Sequence, residues 1–319
     1  VSFKNDLVIN SGTGAIDIRA LNDGNHAIHF ADGQFAITSA STEPTAINIS
    51  ATTTGTTDTQ SAGCVFNFNN GSDDGLIQST GASGGDIVLT ATNGGAGRAF
   101  WMGQNDATTS LQILSNAGDI SLLTNGDIDL NNNFQLYLGN RRNATSVEGI
   151  TPVPTTASGN ITIRANHLNS ISAGDDIFVG TTGDFVLEPF GSNFNASIGL
   201  DSKFTFANTL SSFRFGKDGN TAHLTLNRAL EIAGPISIYG GDIAINQNLS
   251  STANNAAILI EASGNIGTEN SAKTIATTNG NISIIGDADA NGSGQLDLDF
   301  TDYEAGTGNI LFRGETFSW

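Results

Sequence analysis

The sequence is short of cysteine and proline, and each shortage narrows the class of protein. Cys64 is the single cysteine among 319 residues, so no disulfide can form within the chain. Because Cys64 begins an alternating apolar run, we interpret it as a small buried residue. Only five prolines occur, and together with long stretches of Thr, Ser, Asn and Ala this favours a β-rich protein with a large surface.

Positive charge is also scarce. Lysine and arginine number 12 against 31 aspartates and glutamates, which gives a net charge of −19. So acidic a chain should repel nucleic acid and anionic lipid, whose phosphates need basic contacts, and should attract divalent cations. No apolar run approaches the ~18 residues of a membrane-spanning helix, so we expect no membrane insertion. The chain begins at Val1 without a basic and apolar leader, which we interpret as a mature form or a piece of a longer protein.

What the sequence has in abundance is one motif, Gly-(Asp/Asn)-(Ile/Phe)-x-(Leu/Ile). Clear copies open at Gly85, Gly118, Gly126, Gly159, Gly183, Gly241 and Gly280, and looser ones at Gly14, Gly234, Gly264, Gly294 and Gly308. We expect the glycine to adopt a backbone angle that side chains disfavour, and the following Asp or Asn to bond its own backbone and hold a turn. The remaining residues place two apolar groups on one face of a strand.

One such strand cannot bury its apolar face alone, whereas many stacked copies can. Gly118 and Gly126 lie eight residues apart, which is the length of one strand and one corner. No segment of useful length has a helical period. The sequence therefore predicts an all-β solenoid of stacked parallel strands, with roughly 20–28 residues per coil. We expect residues 1–319 to form a single domain.

Two regions depart from the motif. Arg141, Arg142, Pro152 and Pro154 interrupt it, and the prolines exclude a central strand. We predict a loop protruding from the solenoid over residues 141–157, with an inert insertion as the alternative. The second region, 193–230, is rich in phenylalanine, and we interpret its rings as stacks inside the coil. An aromatic platform for carbohydrate is the alternative there.

The runs from Ala233 to Asn246 and from Ile260 to Ile266 resemble the strand repeats of giant surface proteins of Gram-negative bacteria, similar to filamentous-haemagglutinin-type adhesins. The resemblance is strongest over residues 80–190 and 208–312. It implies a right-handed parallel β-helix, an extracellular or cell-surface location, and a role in adhesion or in an extracellular fibre. Its implied partners are neighbouring repeats or further copies of the same protein, since coil ends expose unpaired backbone, and surface glycans.

One stretch has the ligand pattern of a metal site. Asp287, Asp289, Asn291, Ser293 and Asp297 offer oxygen at alternate positions, with Gly292 among them, which is how a calcium loop begins. Leu298 stands at the twelfth position, where an EF-hand loop carries a bidentate glutamate. We predict a calcium site formed by these five residues, and a solvated acidic corner is the alternative. The pairs Asp73–Asp74 and Asp175–Asp176 are weaker candidates of the same kind.

No other constellation favours catalysis. Parallel β-helices include polysaccharide lyases and hydrolases, and hydrolysis needs two carboxylates at a fixed separation. Here the acidic residues lie mostly at turns beside glycine, where a turn role explains them. His26 and His29 are three residues apart, and on a strand this spacing points them to opposite faces, so we do not expect a shared metal. We predict that the protein is not an enzyme, with a carbohydrate-active β-helix enzyme as the alternative.

Overall fold

The computed structural model is built from strands and irregular connections, with no helix among the residues it describes. Those residues are 2–4, 6–23, 26–54, 66–68, 74–82, 85–95, 97–103, 109–131, 133–140, 146–153, 156–170, 174–268 and 272–318. In the described chain, no helix has the length and apolar character needed to cross a membrane. The chain divides into two compact units, Val1–Gly183 and Asp184–Trp319. The expectation of one domain over 1–319 stays a prediction. Cys64, Asp73, Arg141, Arg142 and Pro154 lie outside the described residues.

The described strands of unit 1 form three sheets. Sheet A contains β1 (Ser2–Lys4), β4 (Ile28–Asp32), β7 (Phe66–Phe68), β10 (Arg98–Met102), β13 (Asp127–Leu130) and β16 (His167–Ser170). Sheet B contains β2 (Leu7–Asn10), β5 (Phe35–Ser39), β8 (Gly75–Ser79), β11 (Ser110–Ser115), β14 (Gln135–Gly139) and β17 (Asp176–Gly180). Sheet C contains β3 (Ile16–Asn22), β6 (Thr45–Thr53), β9 (Asp86–Asn93), β12 (Ile120–Thr124) and β15 (Ile161–Ala165).

Unit 2 repeats the arrangement in three hydrogen-bonded series. Series D contains β18 (Asp184–Pro189), β21 (Ser212–Gly216), β24 (Ile236–Gly240), β27 (Ile258–Ala262), β30 (Ile282–Ile285) and β33 (Ile310–Arg313). Series E contains β19 (Ile198–Leu200), β22 (Leu224–Leu226), β25 (Ile243–Ile245), β28 (Ile266–Thr268), β31 (Gln295–Asp297) and β34 (Thr316–Ser318). Series F contains β23 (Leu230–Ile232), β26 (Leu249–Ser251), β29 (Lys273–Thr277) and β32 (Thr301–Glu304), and β20 (Phe204–Phe206) also lies in this unit.

Along each of these sheets and series, neighbouring strands pair in parallel and lie three places apart in chain order. In sheet C, Ile87 pairs with Ile120 and Ile120 with Ile161. In series D, Ile236 pairs with Ile258. The strands after Gly118 and Gly126, β12 and β13, lie in different sheets, as expected for one strand and one corner. The predictions of an all-β fold and of parallel strands are confirmed.

The spacing between paired positions differs from the predicted coil length in unit 1. Hydrogen-bonded partners on adjacent strands of sheet C are 31, 33 and 41 residues apart in sequence. Equivalent partners in unit 2 are 23 and 28 residues apart. The estimate of roughly 20–28 residues therefore describes unit 2. Unit 1 has longer connections between its strands, and the short motif carries no information about connection length.

Rows of apolar side chains in register form the core. Ile47, Ile87, Ile120 and Ile161 lie one above another in sheet C, and each is at most 1% exposed. The polar residues between these positions alternate with them to the opposite face, as the two-residue period of a strand requires. Each isoleucine is thus buried by its own neighbours in the row, which a single strand could not achieve.

Aromatic rings continue the core rows in both units. In unit 1, Phe66 and Phe100 stack with ring centroids 4.9 Å apart. In unit 2, Phe204, Phe213 and Phe215 are at most 3% exposed. These three rings are part of the core, as predicted for residues 193–230, and they are not available as a carbohydrate platform.

At the motif positions glycine is required mainly because a side chain would not fit, and less because of the backbone angle. Gly118, Gly159 and Gly183 do not adopt the left-handed conformation that was expected of them, although Gly85 does, with φ of +95°. A Cβ on Gly159 would lie 2.0 Å from the carbonyl oxygen of Gly118, and one on Gly183 would lie 2.5 Å from that of Gly159. Main chain at the start of the neighbouring strand therefore occupies the position that a side chain would need.

The acidic or amide residue after each glycine also acts between strands. The Asp86 side chain accepts a hydrogen bond from the backbone N–H of Asp119 at 2.9 Å, and Asp119 accepts one from that of Asn160 at 2.7 Å. In unit 2, Asp242 accepts from Asn265 at 2.7 Å. These bonds satisfy a corner N–H of the next strand, so the expectation that the side chain bonds its own backbone was wrong for these residues.

The described part of the segment 141–157 lies against sheet B. Val147 is fully buried with Ala36, Leu76 and Leu114 on the outward face of that sheet, and Ile150 packs against the same group. The segment is also held by side-chain acceptors on the sheet: the backbone N–H of Glu148 donates to Gln34 at 3.1 Å and that of Val153 to Gln78 at 3.0 Å. Residues 146–153 therefore cover the sheet and do not project from it.

Replacing Gly159 with alanine should destabilise unit 1 by about 1–3 kcal/mol, the usual cost of forcing atoms into filled space. The matched control is Gly14→Ala, because a Cβ there meets nothing closer than 3.5 Å. Urea unfolding of both variants, followed by circular dichroism, measures the difference. Equal stability of the two variants would contradict the role assigned to the close backbone contact.

Candidate functional site

The predicted calcium residues begin at a tight turn between β30 and β31. Asp287 is 8% exposed and adopts a positive φ of 54°. Its carboxylate accepts hydrogen bonds from the backbone N–H groups of Asn291 at 2.8 Å and Gly292 at 3.2 Å. Carboxylates accept such bonds readily because the N–H dipoles stabilise negative charge. Asp287 thus closes the turn with its own side chain.

The other predicted ligands divide into two groups. Asp289 accepts a hydrogen bond from the Asn291 side chain at 2.9 Å, and the Ser293 hydroxyl donates to Asn291. Asp297 lies beyond the turn on β31, and it accepts a bond from the N–H of Asp299 at 3.5 Å. In the described parts of the chain, no three His, Cys, Asp or Glu side chains gather as metal ligands. Asp287, Asp289, Asn291 and Ser293 share one turn, and calcium binding by it stays a prediction.

The weaker acidic candidates connect strands of unit 1. Asp74 accepts hydrogen bonds from the backbone N–H of Ser110 at 3.0 Å and from its hydroxyl at 2.7 Å. Asp175 is fully buried, and its carboxylate accepts from the N–H of Phe134 at 2.9 Å. Asp176 begins β17. The carboxylates of Asp74 and Asp175 are therefore hydrogen-bonded to neighbouring strands, as the Asp86 and Asp119 carboxylates are.

The two neighbouring histidines lie side by side, contrary to expectation. The rings of His26 and His29 have centroids 4.9 Å apart. His26 precedes β4, so the alternation of strand side chains does not apply to it. Its Nε2 lies 3.1 Å from the amide nitrogen of Asn67, which pairs in register with His29. The argument from strand spacing was therefore wrong for this pair.

A charged cluster on the outward face of sheet A was not predicted. Arg98 forms an ion pair with Asp129, whose side chain is only 4% exposed, and the guanidinium lies 4.0 Å from the ring centre of Trp101. Asn169 donates a further hydrogen bond to Asp129 at 2.7 Å. Trp101, Asp129 and Asn169 are register neighbours. Arg98 and Asp129 are 31 residues apart in sequence, so only the strand register shows that they are neighbours.

Asp127 is the residue of this cluster whose ionised form is disfavoured by its surroundings. Burial raises the pKa of its carboxyl, and the neighbouring Asp129 carboxylate raises it further, while His167 and Arg98 act in the opposite direction. One of its carboxylate oxygens is buried without a hydrogen-bond partner in the described structure. The negative form of Asp127 is therefore held at a cost to the folded state.

A small acidic cleft lies in unit 2 beside the Asp287 turn. It has a volume of about 90 Å³, and its lining includes Asp218, Tyr239, Glu261 and Asp289. These residues are separated by long stretches of chain, so no local sequence pattern links them. Asp287 itself borders a neighbouring depression together with Arg313 and Glu315.

In comparisons with known proteins, no family model, curated protein or solved structure matches the chain. The adhesin-like resemblance of the repeats therefore stays a prediction.

Opposite changes in stability are expected at the two carboxylates of sheet A. Asp127→Asn should be more stable than the original chain near neutral pH. Because the pKa of Asp127 is raised in the folded state, the Asp127 carboxyl contributes stability below pH 3.8, the ordinary pKa of an aspartate. This contribution is lost as the pH rises through the folded-state pKa. The advantage of the variant should therefore shrink as pH falls towards 3.8.

Asp129→Asn serves as the comparison for that experiment. It removes the partner of Arg98 and should destabilise unit 1 by an amount between the ~1 kcal/mol of an exposed pair and the ~3–5 kcal/mol of a buried one. Urea unfolding at several pH values measures both variants. A pH-independent effect of Asp127→Asn would exclude ionisation as its cause.

Calcium bound at the Asp287 turn would raise the melting temperature relative to protein in EDTA, because a ligand that binds only the folded state stabilises it. Asp289→Asn should abolish this shift and leave the EDTA value unchanged, since Asp289 is exposed. Asp287→Asn should lower the melting temperature even in EDTA, because the turn loses a charged acceptor. Calorimetry with and without calcium distinguishes these outcomes, and identical melting curves for the original chain would rule out a stabilising calcium site.

Proposed function

We propose that this chain is a right-handed parallel β-helix, and that it serves as an adhesive or fibre-forming segment of a secreted or cell-surface protein. The observation that carries the proposal is the parallel pairing of strands three places apart in chain order, repeated in the sheets of unit 1 and the series of unit 2. A chain that coils continuously produces this order without crossover helices. Filamentous-haemagglutinin-like repeats would have the same order.

The arrangement suits a structural role. Each coil rests on the previous one through a backbone ladder, buried isoleucine rows and corner hydrogen bonds, so length can be added without a new core. The net charge of −19 keeps such a repetitive, apolar-cored protein soluble. Many carboxylates are engaged in corner bonds, and this proposal gives them no catalytic role.

Self-association is part of the proposal, through the edge formed by β33 and β34. Ile310 continues the row of Ile236, Ile258 and Ile282, yet it is 42% exposed where they are buried. Phe317 on β34 pairs in register with the buried Leu296 and is 43% exposed. Apolar side chains beside open strand edges invite a further parallel strand. A second copy or a neighbouring repeat of the same protein would supply one, and surface glycans are the further partner class that the adhesive role implies.

The edge is tested by combining Ile310→Lys with Phe317→Asp. The double variant should raise the concentration at which the chain associates by about tenfold or more, because each buried apolar side chain contributes ~1.5–3 kcal/mol. Phe190→Asp is the control, since Phe190 is 50% exposed but follows β18, which is not the last strand of any series. Sedimentation velocity and electron microscopy measure assembly, and a chain that remains a monomer at high concentration would refute self-association.

A further inference from the structure

Asparagine followed by glycine is a dipeptide that can modify itself. The backbone nitrogen of the glycine can attack the side-chain amide carbon of the asparagine, because glycine has no Cβ to shield its nitrogen. Both groups are held in one chain, so the attack closes a small ring without a second molecule. Four such pairs lie in the described parts of the chain, and they begin at Asn93, Asn125, Asn279 and Asn291. Their surroundings decide which of them can react.

Three of the four asparagine side chains are held by other segments of the chain. The Asn125 amide donates to the carbonyl oxygen of Asn93 at 2.8 Å and accepts from its N–H at 2.7 Å. The Asn93 amide donates to the carbonyl oxygen of Arg98 at 2.8 Å. The Asn279 side chain accepts a hydrogen bond from the N–H of Thr307 at 3.0 Å. Turning any of these amides towards the following glycine would break bonds on which the fold relies.

The Asn291 side chain is bonded only within its own exposed turn. Its amide donates to Asp289 at 2.9 Å and accepts from the Ser293 hydroxyl, and both partners are two residues away. Gly292 is exposed and has a φ of +80°, and no atom lies within 4 Å of the place where its Cβ would stand. Rearrangement of this turn therefore breaks no bond between strands, and water reaches the pair.

Two side chains face the atoms that would react. The backbone N–H of Gly292 lies 3.2 and 3.3 Å from the two carboxylate oxygens of Asp287, which is within reach of a general base. The Ser293 hydroxyl donates to Oδ1 of Asn291, the oxygen that becomes negative when the amide carbon is attacked. The proton that must leave and the charge that must form each have a partner in place.

We propose that Asn291 is a site of spontaneous deamidation, assisted by Asp287 and Ser293. The Gly292 nitrogen forms a bond to Cγ of Asn291 and gives its proton to the Asp287 carboxylate, while the Ser293 hydroxyl stabilises the oxyanion. The bond from Cγ to Nδ2 then breaks, and ammonia leaves with the proton from Asp287. Water opens the resulting succinimide to aspartate or isoaspartate.

The modification changes the turn in which calcium binding is predicted. Deamidation replaces a neutral amide at position 291 with a carboxylate, and carboxylate oxygens are the ligands that calcium prefers. The isoaspartate product also lengthens the backbone of the turn by the side-chain methylene. Neither change depends on the adhesive or fibre-forming role, so the modification and the proposed function can fail independently.

The test incubates the full chain at neutral pH in EDTA and follows deamidation by peptide mapping with mass spectrometry. All four pairs are measured in the same sample, so Asn93, Asn125 and Asn279 serve as internal controls. Asn291 should convert at least about tenfold faster than each of them, because their amides are held by bonds to other segments. Electron-transfer fragmentation separates aspartate from isoaspartate. A parallel incubation in urea should bring the four rates together, since the surroundings of each pair are then lost.

Two variants test the assisting groups. Asp287→Asn should slow conversion of Asn291 about tenfold, less than the ~10²–10⁴-fold effect of a general base in an enzyme. Ser293→Ala should slow it about two- to tenfold, because an exposed hydroxyl stabilises an oxyanion less than a buried donor. Asp302→Asn is the matched control, since Asp302 is an exposed aspartate on β32 outside the turn. Circular dichroism confirms that each variant is folded.

The sign of the Asp287→Asn effect distinguishes assistance from simple mobility. Loss of Asp287 loosens the turn, so a turn that reacts only because it is mobile would convert faster in this variant. Faster or unchanged conversion would therefore overturn the role of Asp287 as base. Conversion of Asn93, Asn125 or Asn279 as fast as that of Asn291 in the folded chain would overturn the site itself, and so would an advantage of Asn291 that persists in urea.

Discussion

Close contact between main-chain segments at the corners is the constraint on which the rest of the structure depends. In unit 1 the carbonyl oxygen of Gly118 occupies the place where Gly159 would carry a Cβ. In unit 2 a Cβ on Gly308 would lie 2.1 Å from the carbonyl oxygen of Gly280. Corners this close keep the strands at the spacing of a parallel sheet along their whole length. The isoleucine rows align and become buried because the corners do not hold them apart.

The sequence was informative wherever the physics is local. The two-residue alternation in the motif predicts strands and their buried faces, and residues such as Ile120 and Phe213 are buried accordingly. It was misleading about why glycine recurs. A glycine suggests an unusual backbone angle when only its own chain is considered, whereas Gly159 is required by main chain 41 residues earlier. The Asp119 side chain was misassigned for the same reason, since its acceptor role concerns the strand after its own.

Contacts that depend on strand register could not be predicted from the sequence. Hydrogen-bonded partners are up to 41 residues apart in unit 1 and as few as 19 in unit 2, and nothing in the short motif specifies these lengths. Without them, Arg98 cannot be matched to Asp129, and Val147 cannot be placed on sheet B. The Asp287 turn was accessible because its hydrogen bonds join residues within five positions of one another. The cleft around Glu261 could not be predicted, because its lining residues come from separate strands and connections.

The acidity of the chain is not a requirement of its architecture. A corner bond needs only an oxygen acceptor, and the neutral side chains of Asn265 and Asn281 accept the N–H of the next strand at 2.8 and 2.9 Å, as well as Asp242 does. Asparagine at every such corner would keep the hydrogen bonds between strands and remove negative charge. The net charge of −19 is therefore a property of the surface, which governs solubility and the choice of partners.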